Sequence, residues 1–513
     1  MITIKHGTDY LQQDKISWGA APSSFTVTGS PWTLSLDTNA WTNGQTYTII
    51  ARSYDKAGNV EDEDTPPTES AIEFICDRTK PETYIVTPVH KTSNFDNRSQ
   101  LPIIDGTCYD AFGVTDVKIS VYKELGAKYW HDSTNDWGDG EEWFSGNLSG
   151  NATYWWYTKV NFNTSCDYLI KVRAYDSVTP TPNDEGDPVA NGEDEGTASF
   201  HRVTIDMIEP DSLIQSPVDG NTYSSLPKTS ISGTAEDTQS DITYVKIRIS
   251  DITASTTYYW NLSDWDTNSG NWHNTNITGA GQSISWDGTS LGDIDQKWTS
   301  GHIYRIETYA KDSAQPENVE ISFSTVTFTF DDTPPLSDVS FPVDGEHYKA
   351  GALGQTISGT AQDATSDVQT VYLSILEEGT TKWFDGSGFL ANSTYWIDVG
   401  ITPGATEWSY TNANLNWTDG NRYIFKTYAV DEIGNTAQPS SGIEVVYDET
   451  EPDSSVTNPA DGSTKQKDLL TLLSGNASDT APGVVNNVKI SLMIKDYPSA
   501  GTNYYWDGST WVA

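Results

Sequence analysis

The sequence predicts an all-β chain, tandem β-sandwiches in a linear array with a split half-domain at each end. Three observations carry that prediction. First, a linker signature of Asp, three residues, Pro, six residues, Pro is written four times, beginning at Asp77, Asp206, Asp331 and Asp448. Its first prolines, Pro81, Pro210, Pro335 and Pro452, stand 129, 125 and 117 residues apart. That is a domain-sized period, well above the roughly 20–50 residues of a solenoid repeat. Second, each unit carries a strict period-two row: Val117, Ile119, Val121; Val245, Ile247, Ile249; Val371, Leu373, Ile375; Val488, Ile490, Leu492. Alternation of that kind marks a strand with one buried face. Third, helical periodicity is found over no useful length, while Gly, Asn and Asp turn signals separate the apolar stretches.

The boundaries follow from the linkers. Residues 77–205, 206–330 and 331–447 are complete units. Residues 1–76 hold the second half of a unit, from Trp18 onward, and residues 448–513 the first half of one.

Totals narrow the function. The 513 residues carry 72 acids against 29 bases, a formal charge of −43. Phosphate recognition needs clustered Lys and Arg, so nucleic acid and anionic membrane are excluded as partners. Hydrophobic residues make up only 36%, but 19 Trp and 27 Tyr bury a large area per side chain, enough for modest cores. No apolar run is long enough to span a bilayer, and residues 1–19 lack the basic-then-apolar profile of a secretory signal. Three cysteines make no disulfide framework; Cys76 and Cys108 fall at apolar positions of the repeat and are expected to be buried, and Cys166 falls in a turn and is expected to be exposed.

In chain order, each linker leads to an Asp-Gly turn at Asp219-Gly220, Asp344-Gly345 or Asp461-Gly462, where glycine supplies a positive φ. The next strand ends in Gly-x3-Asp, with glycines 106, 233, 359 and 475 and aspartates 110, 237, 363 and 479. After the alternating strand comes a Trp-rich middle that differs between units. The units reconverge on Trp-Thr-x-Gly-x-x-Tyr, ending at Tyr47, Tyr304 and Tyr423; the first full unit departs from it, with Phe162 and Tyr168. Eight residues after each Tyr stands an Asp: Asp55, Asp176, Asp312, Asp431. A Tyr between a Gly turn and a strand looks like the tyrosine corner of immunoglobulin-type sandwiches.

On these residues the whole chain resembles the immunoglobulin-like or fibronectin type III-like repeats of large prokaryotic cell-surface and secreted proteins of the adhesin type. The resemblance implies an extracellular structural and adhesive array, a stalk or filament component, and no enzyme. It is architectural, and such folds host many functions. A carbohydrate-binding array and an accessory region of a secreted enzyme are the alternatives. The first should expose coplanar indoles such as Trp155 with Trp156; the Trp-rich middles otherwise read as packing.

Threading the units as immunoglobulin-type sandwiches gathers three sets of acids at domain junctions. They are Asp77, Asp110, Asp116 and Asp176 with Glu82; Asp206, Asp237, Asp241 and Asp312 with Glu209; and Asp331, Asp363, Asp367 and Asp431 with Asp332. Calcium takes six to eight oxygens, so clustered carboxylates make a plausible cage. The resemblance to calcium-dependent adhesive repeats implies that bound ions stiffen the hinges. A second account is local: Asp is favoured in turns because its side chain caps its own backbone. Nine Asn-x-Ser/Thr sequons between Asn97 and Asn476 offer glycan sites, a number that so much Asn, Ser and Thr also generates by chance. Seven His without metal spacing, and no phosphate loop or nucleophile elbow, leave no catalytic constellation.

The end pieces sum to 142 residues, 76 and 66, slightly more than any complete unit. Open half-sandwiches require completion. Either neighbouring repeats of a longer chain supply it, or the tail of one copy pairs with the head of the next by strand addition, building a filament. A glycan or a host or neighbour surface remains the external partner.

Overall fold

The computed structural model describes residues 1–61, 71–90, 94–95, 101, 103–465, 470–495 and 501–512. Sequon Asn97 lies outside them. The chain is all-β; among the described residues the helical elements are single 3-10 turns at Thr38–Ala40, Lys228–Ser230 and Ile294–Gln296.

Unit 206–330 shows the plan. A four-stranded sheet runs in the order Asp211–Ser216, Ser232–Glu236, Ser283–Asp287, Asn276–Thr278. The facing sheet runs Thr222–Tyr223, Ser324–Phe330, His302–Asp312, Ile242–Asp251, Tyr258–Trp260, Trp265–Asp266. Pairing is antiparallel throughout except for Thr222–Tyr223, which lies parallel to the last strand. Unit 77–205 repeats this order, and unit 331–447 repeats it with a three-stranded small sheet, Leu336–Phe341, Thr356–Gln362, Glu407–Thr411; Asn94–Phe95 and His347–Tyr348 are their parallel strands. These are tandem immunoglobulin-like sandwiches.

The alternating rows fill the cores: the Val and Ile side chains at 117, 119, 121, 245, 247 and 249, with Val371, Leu373 and Ile375, are all fully buried. The glycine of Gly-x3-Asp has a packing reason. An indole lies flat across it, so that a Cβ at Gly106, Gly233 or Gly359 would come within 2.6, 2.5 and 2.4 Å of Trp155, Trp286 and Trp408. Each indole N–H donates to a carbonyl of the glycine's own strand, at Thr107, Thr234 and Thr360. The corner tyrosines are fully buried, and the Tyr47, Tyr304 and Tyr423 hydroxyls accept from the amides of Thr42, Thr299 and Thr418 at 2.6, 2.9 and 2.7 Å. Tyr168 instead donates to the carbonyl of Thr164. Burial pushes the Tyr304 and Tyr423 hydroxyls up to about 12.

A carboxylate staples the two sheets in two of the units. Glu320 Oε2 accepts from Ser212 N on one sheet at 3.1 Å and Ala310 N on the other at 2.8 Å. Glu185 does the same with Thr83 N and Ala174 N, both at 3.0 Å. Unit 331–447 has Ala437 at that place, and its Ser337 hydroxyl is buried without a partner.

Three placements differ from expectation: those of Cys166, Cys76 and the start of the first unit. Cys166 is buried, not exposed, because it opens the inward-facing row of strand Cys166–Asp176, whereas Cys76 is half-exposed. Trp155 and Trp156 do not form the exposed coplanar pair that the carbohydrate-binding alternative requires: successive strand residues face opposite ways, so Trp155 is fully buried while Trp156 stacks on Tyr154 outside. The fully buried Trp130, Trp260 and Trp286 likewise pack inside. The first unit begins before Trp18, since Ile2–His6, Asp9–Leu11 and Trp18–Gly19 build a five-stranded sheet with Gln45–Ala51 and Ala71–Cys76.

That last difference changes the relation between the end pieces. Asp9–Leu11 with Trp18–Gly19, and Tyr504–Trp506 with Trp511–Val512, both reproduce the hairpin of Tyr258–Trp260 with Trp265–Asp266. The pieces overlap rather than abut. In residues 448–512 the row that is buried elsewhere is open, with Val488, Ile490 and Leu492 exposed.

Candidate cation sites at the unit junctions

Each junction is locked before it is charged. The variable residue of the corner turn, Asn43, Ser165, Ser300 or Asp419, presents a side-chain oxygen to the amide just after the linker Asp. The donors are Arg78, Met207, Asp332 and Glu449, at 2.6, 2.9, 3.2 and 2.6 Å. Sequence reading passed over this position because its residue type varies; the shared signal is that every version carries an acceptor oxygen.

At three junctions this lock places the linker Asp beside two others. Asp77, Asp110 and Asp176 form one triad, Asp206, Asp237 and Asp312 the next, and Asp331, Asp363 and Asp431 the third. In each, one carboxylate oxygen per residue lies within 4.8 Å of the others. The elements explain the convergence: the linker delivers one Asp, the Gly-x3-Asp strand end the second, and the end of the long corner strand the third.

Local hydrogen bonds orient the carboxylates. Asp176, Asp312 and Asp431 each accept from the backbone and side-chain amide of an Asn, namely Asn183, Asn318 and Asn435, at 2.7–2.8 Å. The same side-chain amides reach the carbonyls of Asp77, Asp206 and Asp331. Asp237 Oδ1 accepts from Gln239 N and Ser240 N, both at 2.7 Å, and the Ser240 hydroxyl donates to Asp206. Ser366 Oγ plays that part in the third triad, 2.7 Å from Asp331 and 3.3 Å from Asp431. Sequence reading did not single out these Asn and Ser residues as parts of the site.

Local capping leaves oxygens over. Oδ2 of Asp77, Asp110 and Asp237 is buried with no hydrogen-bond partner, although Asp237 is only 7% exposed. Among the described residues no Lys, Arg or His forms an ion pair with any of the nine aspartates. Two like charges 4.8 Å apart repel by about 3 kcal/mol at an effective dielectric near 20. Burial, with Asp237 and Asp312 nearby, pushes the Asp206 carboxyl up to about 6, and burial raises Asp312 as well. Three carboxylates and linker carbonyls present only oxygen, the donor set of a hard divalent cation such as calcium.

The remaining acids of the expected sets stand elsewhere. Asp116 pairs with Lys118 at 3.1 Å. Asp241 and Asp367 contribute backbone contacts instead, to Ser313 Oγ and Glu432 N. Glu82 accepts from Tyr84, and Glu209 from Ile321 N. Asp332 is tied through its amide to Ser300.

No family profile matches the chain, and no curated protein matches it. Similar solved structures exist at low identity. A 1.5-MDa bacterial ice-binding adhesin is 12% identical over 72% of this chain and 98% of that one, with a TM-score of 0.32. A Ca²⁺-stabilized adhesin of an Antarctic bacterium is 12% identical over 87% and 89%, with a TM-score of 0.25. Protocadherin Gamma B2 cadherin domains 3–6 are 12% identical over 86% and 95%, with a TM-score of 0.28. The immunoglobulin-like fold itself stands on the strand order and register given above.

Proposed function

We propose that this chain is an extracellular structural and adhesive repeat array whose unit junctions are stiffened by calcium. The observation that carries the reading is the buried, unpartnered Oδ2 of Asp237 inside a carboxylate triad that no Lys, Arg or His pairs with among the described residues. An uncompensated buried carboxylate oxygen is costly, and a divalent cation offsets both the desolvation and the repulsion. Three aspartates and a few carbonyls make a site of modest affinity, suited to the roughly millimolar calcium that extracellular modules use. The triads sit where adjacent units meet, so occupancy would restrict bending and let short Pro-containing linkers set length. Isothermal titration of calcium into chelator-treated protein is expected to show binding at the triads, abolished at the middle one by Asp237→Asn. Absence of any heat, with no rise in melting temperature, would sink the proposal.

A second reading, head-to-tail assembly, is favoured by one pairing. Every complete unit lays a Trp across a Gly, but the nearest atoms that a Cβ at Gly475 would meet are backbone atoms of Ser455 and Val456, and Trp32, placed nine residues before Trp41 as Trp408 is before Trp417, is 45% exposed. Strand addition would set Trp32 of one copy on Gly475 of the next, with one of the two overlapping hairpins displaced. It would also bring Asp55 to Asp448 and Asp479, the linker and strand-end members of a fourth triad. Sedimentation of the 513-residue chain separates the outcomes: concentration-dependent polymers lost in Gly475→Trp support it, and a monomer at high concentration overturns it.

A further inference from the structure

The outer face of the large sheet carries the same Trp in all three complete units. Trp143, Trp272 and Trp396 each directly precede the short strand that pairs with the central strand, at Phe144 with Ile119, His273 with Ile247 and Ile397 with Leu373. In unit 206–330 the ring is capped from within: the Arg248 guanidinium lies 4.5 Å from Trp272 and 5.5 Å from Tyr259, and is neutralised by Glu307 at 2.7 Å. In unit 77–205, Arg173 lies 4.2 Å from Trp143, and Lys171 lies 5.1 Å from it while pairing with Glu141 and Asp187.

Unit 331–447 keeps the platform and drops the cap. Trp396 meets Tyr428 edge-on at 4.7 Å and 79°, as Trp272 meets Tyr309 at 4.7 Å and 73°. Register places Trp383 where Tyr259 stands, Ser374 at Arg248 and Lys426 at Glu307. The space that Arg248 fills becomes an open groove of about 430 Å³ lined by Trp383, Trp396, Ser374, Thr394 and Lys426. Lys426 has no ion pair or hydrogen bond from its ammonium among the described residues.

The chemistry selects the occupant. Two indole walls offer flat apolar faces, which suit a planar apolar group or the C–H face of a sugar ring. A cationic group, the occupant in the other units, is disfavoured because the neutralising Glu307 is here a lysine. A free ammonium beside hydroxyls suits a carboxylate flanked by alcohols. We propose that this groove binds an acidic pyranose, a uronate unit of a polysaccharide, with its ring on Trp396, its carboxylate on Lys426 and its hydroxyls on Ser374 and Thr394.

The test is affinity electrophoresis of the whole chain through gels containing oligogalacturonate or a neutral glucan, with EDTA present so that the Asp triads play no part. Retardation by the uronate alone is expected, reduced at least tenfold in Trp396→Ala and in Lys426→Gln. Ser374→Arg, which restores the residue that unit 206–330 carries, should fill the groove and remove binding with the fold retained. No retardation, equal retardation by the neutral glucan, or binding that survives Trp396→Ala and Ser374→Arg would overturn the proposal.

Discussion

Trp286 lies so close across Gly233 that a Cβ there would stand 2.5 Å from its Cζ2 and 1.9 Å from the carbonyl oxygen of Leu213. The strand pair and the indole on it are thus assembled around the absence of one carbon. Backbone cannot give way as a flexible side chain does. Gly233→Ala is expected to cost unit 206–330 about 3 kcal/mol or more, at the upper end of overpacking effects. Urea unfolding followed by tryptophan fluorescence would read the loss, and an unchanged midpoint would refute it.

The inter-sheet staple makes a second prediction. Glu320→Ala leaves the amides of Ser212 and Ala310 without their acceptor in a buried place, and each orphaned donor costs about 1–3 kcal/mol. A loss of about 2–4 kcal/mol is expected by denaturant unfolding of this unit. The matching Ala437→Glu should supply the missing acceptor near Ser337 and shift unit 331–447 less, or upward.

Stability of unit 206–330 without metal should fall as pH rises. The Asp206 carboxyl titrates near 6 in the folded unit against 3.8 unfolded, so between those values the native state holds the extra proton. Stability then decreases with pH across that window, and the penalty is fully present above pH 6. About two pKa units correspond to roughly 2–3 kcal/mol. Glu320, raised above 4.5 by burial, acts in the same direction. Thermal melts in EDTA should therefore be higher at pH 4 than at pH 7.5, and saturating calcium should reverse the order.

Removing a junction lock should loosen two units without unfolding either. Ser300→Ala deletes the oxygen that receives the Asp332 amide and touches Asp331 at 2.9 Å. Small-angle scattering is expected to report a broader distribution of end-to-end distances, while the melting temperature of each unit moves by less than about 1 kcal/mol in equivalent free energy. An unchanged distribution would show that the proline linker alone sets the angle.

Much of this molecule is written locally. Alternation at Val245, Ile247 and Ile249 declares a half-buried strand, the Asp-x3-Pro signature recurs at a domain-sized period, and Tyr304 behind its Gly turn announces the corner. Each is a short-range pattern, so one sequence suffices to read it. Length, acidity and the lack of phosphate-binding basic clusters likewise follow from composition alone.

What the tertiary structure decided are the matters of long-range register. The Gly-x3-Asp ending marks Asp237 as a repeated position but does not say what its carboxylate meets, and Asp241 four residues on stands as an equal candidate; of the two, Asp237 is the one that joins Asp206 and Asp312. Nor does an isolated Trp reveal whether it lies across Gly233, beneath Arg248 as Trp272 does, or uncapped as at Trp396. Those outcomes depend on which residue the opposite strand presents, from tens of residues away. The sequence by itself therefore determined the alternating strands and their inward faces; only the packing of one strand against another decided which carboxylates converge and which aromatic face stays open.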